Sequence, residues 1–155
     1  MPNIEVKDNF KGLDNFKMNL RTSKVVKIGI FGNKNARDDS MTNVKVGMKH
    51  EFGSFSEGIP RRSFLKDPMQ IKRKELLNKT GKVIDKKITD NKGSDEILET
   101  IGVIGETIVQ QAFETSGFGT WEPLSSGTIN KKGSSSILID TGQLRRAITS
   151  KVDTL

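Results

Sequence analysis

The 155-residue chain has no cysteine and no tyrosine, and only one histidine, one tryptophan and four prolines. Without cysteine, a disulfide, a thiolate metal site and a thiol nucleophile are all excluded; the same lack fits a reducing compartment. The one histidine, His50, stands beside Glu51, but the "HE" pair has no second histidine four residues on, so the helix of a zinc hydrolase is not present. A His–Glu pair is a conceivable base with its orienting partner. Its nucleophile would have to be a serine or threonine, and no G-x-S-x-G surrounds one. The default reading of His50 is structural. No G-x-x-x-x-G-K-[ST] loop occurs either; "GVIGET" falls inside an expected helix. The phenylalanines lie in expected helices and loops, not on the alternating strand positions of an RNA-binding sheet. No catalytic, cofactor or metal site is therefore expected.

Long apolar runs are missing as well. Nothing approaches the roughly 20 residues that span a bilayer, and the N-terminal "MPNIEVKDNF" lacks the apolar stretch of a signal peptide. A protein made in a cytoplasm, without membrane contact, is expected. Only 33% of residues are hydrophobic, which at this length implies one domain with a modest core and with loops that lean on something else.

What the chain does have is positive charge, +7 in all, concentrated in one place. Residues 61–92 hold eleven Lys and Arg against four acids, whereas residues 93–155 hold five against eight. Such a segment is ordinary solvated helix surface, or it meets an acidic neighbour, or it meets nucleic-acid phosphates. Lys72, Arg73 and Lys74 are the residues for a DNA contact, with Arg61 and Arg62 beside them.

Pattern places the elements. Residues 8–22 read as an amphipathic helix with apolar groups at Phe10, Leu13, Phe16 and Leu20. "KVVKIGIFG" alternates Val26, Ile28 and Ile30 and reads as a strand. "NKNARDDS" has no period and reads as a loop. "TNVKVGMKHEFG" fits either a strand or a short helix capped by Thr42 and ended by Gly53. Asp67-Pro68 predicts a helix start, with a helix running to about residue 90. Ser94 predicts the cap of another, carrying the stripe Ile97, Ile101, Ile104, Ile108 and Ala112 and ending near Gly117. Gly102 and Gly105 lie near that stripe, where glycine costs about 1 kcal/mol against alanine; close approach of another backbone would compensate. Residues 117–136 form a long Gly/Ser/Thr-rich connection around Trp121, of the kind that is functional or docks on a partner. "SILID" reads as a strand, Asp140 or Thr141 as the cap of a helical turn "GQLRRA", and "AITSKVDTL" as a strand with Ile148, Ser150 and Val152 on one face.

Three separated motifs result: "TNVKVGMKHEFGS…IPRRSFLKDP", "GTWEPLSSGTINKK" and "ILIDTGQLRRAITSKV". In order and content they resemble the tail-completion, or virion-morphogenesis, proteins of long-tailed bacteriophages, a group related to head–tail joining proteins. The match covers about two-thirds of the chain; the first thirty residues and "NKNARDDSM" have no counterpart. The resemblance implies a non-enzymatic structural protein of the virion neck. It implies an α+β fold, with a small, mainly antiparallel sheet packed against two longer helices and with extended loops. It implies a ring of identical subunits, a hexamer, between the head–tail connector and the tail terminator and tube proteins, with DNA passing non-specifically through the channel. It also selects the helix for the ambiguous "HEFG" stretch. In this reading Phe52, Phe55 and Trp121 are anchors that bury when subunits meet, and Arg61, Arg62, Arg145 and Arg146 form a charged lip against a neighbour. A basic DNA-binding accessory protein of phage morphogenesis is the alternative.

Overall fold

The computed structural model describes residues 24–37, 41–90 and 92–155. The helix expected over residues 8–22 lies outside them. Strand β1 (Lys24–Ile30) and strand β2 (Ile148–Thr154) pair antiparallel, Lys24 opposite Thr154 and Ile30 opposite Ile148. The sheet is therefore closed by residues more than a hundred positions apart. Six α-helices lie between the strands among the described residues. Helix α1 spans Asn43–Phe52, α2 Lys66–Ile71, α3 Arg73–Thr89, α4 Ser94–Glu114, α5 Ser126–Lys132 and α6 Gln143–Ala147. The fold is α+β: α4 packs on both strands, and α3 packs along α4.

Helix α4 sits close to the sheet because two of its residues have no side chain. A Cβ on Gly102 would collide with Ser150 and crowd Val26; one on Gly105 would collide with Ile28 Cδ1. The expected compensation for these helical glycines is real, but side chains of the strands supply it, not a backbone. The face carrying Ile148, Ser150 and Val152 is the one turned to the helix. Of the α4 stripe, Ile97, Ile108 and Ala112 are buried, whereas Ile101 and Ile104 are half-buried. Val109 and Phe113 complete the buried side and join Phe64, Trp121, Ile137, Leu144 and Ile148 in the core.

Helix α1 takes the helical alternative. Thr42 Oγ1 accepts from Lys45 N at 3.2 Å, and Gly53, at φ 80°, ends the helix where a side chain would crowd the Arg61 backbone.

Ser94 is not the cap of α4 but its first residue; Gly93 holds the cap position, without a side chain to bond. Three further expectations require correction. The helix placed after Asp67-Pro68 starts earlier and is divided: α2 begins at Lys66, and Lys72, at φ −94° and ψ 12°, separates α2 from α3. Asp67 is not its cap; its carboxylate is turned to Arg61. "SILID" is not a strand. Residues 137–140 turn, with Leu138 at φ 58°, and Ile137 enters the core as an anchor. The long connection is not structureless, since α5 forms within it, capped by Ser125 accepting from Thr128 N and closed by Gly133.

Candidate functional site

The three motifs meet at one node. Glu51, on the last turn of α1, is buried. Its carboxylate accepts from Ser63 Oγ at 2.7 Å and from the backbone amides of Phe64, Leu65 and Lys66 at 2.8–3.0 Å. These amides open α2, and the first amides of a helix have no partner within it. Glu51 thus caps α2 from another helix. A negative group is favoured there by the helix dipole as well. Ser63 Oγ in turn accepts from Asp67 N. The carboxylate is spent on this clamp, and the Glu51–His50 dyad considered from sequence is not assembled.

Trp121 is 6% exposed and packs edge-on against Phe113, ring centroids 5.8 Å apart. Its Nε1 donates to Ser63 O at 3.0 Å. The expectation that Trp121 buries only on assembly is overturned: this chain's own core covers it. Arg62, also 6% exposed, donates through Nε to Glu122 O at 2.9 Å and through Nη2 to Pro123 O at 3.3 Å. It ties the first motif to the second and is not part of an outward lip, because burial commits its fork to these carbonyls. The third motif closes the node. Gly142, at φ 73°, opens α6, and Leu144 is buried beside Phe64 at Gly47 of α1. Thr141 is not a side-chain cap; its carbonyl accepts from Arg146 Nη1.

The other arginines of the expected lip are also engaged within the chain. Exposed Arg61 holds Asp67 through two bonds of 2.7 Å, which keep the Asp67 carboxyl below its ordinary range. Arg145 donates to Gln110 Oε1 and reaches Glu114. Arg146 remains on the surface. Phe52 and Phe55 differ from Trp121: they are 68% and 104% exposed, with Met48 exposed one turn before Phe52. Phe55 is thrust outward on a 3₁₀ turn (Phe55–Glu57) closed by the Ser54–Ile59 bridge.

On the basic segment, Lys72 pairs with Glu75 and lies over the Phe118 ring at 4.9 Å. Arg73 and Lys74 are exposed and, like Lys82 and Lys86 further along α3, have no ion-pair partner among the described residues.

A cleft of about 780 Å³ opens beside the node, between the end of α1, the 57–62 turn, α5 and the start of α6. His50, Arg62 and Lys132 are among its lining residues. Burial first, then the charges of Arg62, Lys132 and Lys49, push the His50 pKa down to about 4. Burial likewise lowers Lys132, with Asp140 opposing and Arg62 adding to the effect. His50 Nδ1 is buried and has no hydrogen-bond partner among the described residues. Sequence reasoning missed Lys132 and Ser63, and it weighed Glu51 only as a partner of His50, not as the cap of another helix. The Ser125-x-x-Thr128 cap with Gly133 beyond it was a local sign of α5, the helix that brings Lys132 to the cleft.

Compared with known protein families, with curated proteins and with solved structures, the chain matches none. Among the described residues, no helix is long and apolar enough to cross a membrane.

Proposed function

We propose that this chain is a structural subunit of the neck of a long-tailed phage, which assembles as a hexameric ring and joins the tail terminator and tube to the head connector. The observation that carries this reading is the division of labour around the node. The segments that bear the family resemblance spend Glu51, Ser63, Arg62 and Trp121 on holding backbone, and they leave Met48, Phe52 and Phe55 outside. A grouped apolar surface on a chain with so few apolar residues fits a contact between proteins. In a ring, each subunit offers one surface to the next and a different surface to the one before, so that contacts close without open edges. Phe52 and Phe55 supply such a surface.

The test is a Phe52→Asp, Phe55→Asp double variant. It should stay folded, reported by the emission of buried Trp121, and fail to attach tails to filled heads. Electron microscopy of particles should place the chain at the neck in six-fold copies. A particle in which the chain is absent from the neck, or present as one isolated copy, overturns the reading.

A second reading, sequence-independent contact with duplex DNA, draws on the exposed Arg73, Lys74, Lys82 and Lys86 of α3, which have no ion-pair partner among the described residues. It requires affinity that falls steeply with salt, a slope of about −0.9 per phosphate neutralised, together with loss of function when these cations alone are reversed.

A further inference from the structure

The two edges of the sheet differ in a way that neither the clamp nor the exposed phenylalanines account for. We propose that the outer edge of β1 is a docking site for an extended segment of a partner polypeptide. The segment adds to the sheet as a third strand, apolar on the side of α4 and carrying an acidic residue beside Lys27. The inference does not rest on the ring reading, which draws on Phe52 and Phe55.

The pattern of backbone hydrogen bonds shows which groups are open. Along β2, Ser150 N donates to Glu106 of α4, Ile148 N to Arg145 O and Thr154 N to Asp153 Oδ1. These amides therefore point away from β1, and the chain's own acceptors close the outer edge of β2. In an antiparallel pair, residues opposite each other either exchange both backbone bonds or turn both sets of groups outward. Val26, Ile28 and Ile30 stand opposite Val152, Ser150 and Ile148, so their amides and carbonyls also point outward, on the other edge. Among the described residues these groups have no partner there. The edge is reachable. No residue of β1 is buried, and of the described elements only β2, along one edge, and α4, on one face, pack extensively on it. Such an edge offers a row of donors and acceptors to another strand.

The two sides of the added strand meet different chemistry. Glu106 marks the flank of α4 toward β2. At about 3.6 residues per turn, Ile101 and Ile104 lie on the opposite flank, toward the open side of β1. Both are half-buried, and Met69 of α2 reaches the same place beside Gly105 as Ile28 does. Alternate residues of an added strand lie over these apolar groups. On the other side of the sheet Lys27 and Lys151, with side chains 48% and 47% exposed, share one carboxylate, Asp153, at 2.8 and 3.0 Å. Two ammonium groups against one carboxylate leave one positive charge, which a cross-strand acid beside Lys27 balances.

Amide hydrogen exchange in the full-length chain reads the edge residue by residue. In the free protein the amides of Val26, Ile28 and Ile30 should exchange fast, and those of Val25, Lys27 and Gly29, which face β2, slowly. The probes are acetyl-Thr-Val-Glu-Val-Thr-amide, its Lys counterpart, and the Glu peptide N-methylated at its three central residues. At about nine-tenths occupancy the Glu peptide should slow the three outward amides about tenfold, since only the free fraction exchanges, and leave the inward three unchanged. It should bind about fivefold more tightly than the Lys peptide, and Lys27→Glu, with Trp121 emission unchanged, should remove that preference. The N-methylated peptide, which lacks the donors, should give no protection. The proposal is overturned if the outward amides are already as slow as the inward ones in the free chain, because the edge is then filled without a partner. It is also overturned if no peptide slows them, if the N-methylated peptide slows them equally, or if the Lys peptide binds the unaltered chain as tightly as the Glu peptide. A Lys27→Glu chain that stays folded and keeps the Glu preference overturns it as well.

Discussion

The end of α1 and the length of α3 handle charge in opposite ways. Glu51 is buried, and four donors converge on it from the chain that follows. Helix α3 carries six basic residues from Arg73 to Lys87 and the apolar Leu76, Leu77, Val83, Ile84 and Ile88, and none of its residues is buried. The difference does not lie in residue type, for both regions mix charges with apolar groups. It lies in what folding aims at the charge. A helix start, with its open amides, is pointed at Glu51, so losing water costs that carboxylate little. Among the described residues no acid is pointed at Lys82 and Lys86, which stay exposed. The same contrast holds for glycine: Gly105 of α4 is pressed against Ile28, whereas Gly81 of α3 has open space around it.

The strongest way to break this comparison is Glu51→Ala. It strips the acceptor from three amides and a hydroxyl, and since each unsatisfied buried donor costs about 1–3 kcal/mol, the total loss should exceed about 3 kcal/mol. Urea unfolding followed by Trp121 emission measures it. A loss below about 1 kcal/mol would mean that water replaces the clamp freely.

Next in size is the α4 stripe. Ile108, 1% exposed, should lose about 2–5 kcal/mol on change to alanine. The half-buried Ile104 should lose less than half as much, and exposed Leu77 of α3 about 0.5 kcal/mol or less. Equal losses at Ile108 and Leu77 would erase the distinction between the two helices.

The glycines sharpen it further, because the sign should reverse. Gly81→Ala should stabilise by up to about 1 kcal/mol through helix propensity. Gly105→Ala should destabilise by about 1–3 kcal/mol, as its methyl forces Ile28 aside. Thermal unfolding of the two variants side by side decides this.

A pH-dependent effect comes from His50. Its folded pKa, about 4, lies below the ordinary 6.5, so between those values the unfolded chain binds more protons. Stability from this group is full above about 6.5 and is lost as pH falls toward about 4. His50→Gln should flatten the stability profile between these limits. An unchanged slope would show that the ring titrates freely in the folded protein. Smallest of all is the exposed Arg61–Asp67 pair: Arg61→Ala should leave the urea midpoint nearly unchanged, as exposed ion pairs contribute little.

Much of the fold was legible because it rests on local pattern. The alternation of Val26, Ile28 and Ile30 marked β1, and the spacing from Ile97 to Ala112 marked α4. Thr42 and Gly53 marked the ends of α1 once helix was chosen over strand. The node was less legible. Asp67 before a proline has the form of a cap, yet Glu51, fifteen positions before Lys66, does the capping. A tryptophan in a glycine-rich stretch has the form of an interface anchor, yet the nearest apolar surface is Phe113 of the same chain. "SILID" has the composition of a strand, but a strand needs a neighbour. Among the described residues β1 and β2 pair only with each other.

By itself, then, the sequence determined where backbone hydrogen bonds are made locally and which stretches are too charged to bury. Helical and strand periodicity, and the hydroxyl and glycine signals at helix ends, act over a few residues and can be read there. Tertiary structure alone decided which polar groups lose water and what replaces it. Glu51, Arg62 and Trp121 find their partners 13, 60 and 58 positions away. Such a partnership depends on two surfaces being brought together by the packing of α4 on the sheet, and no local pattern records that.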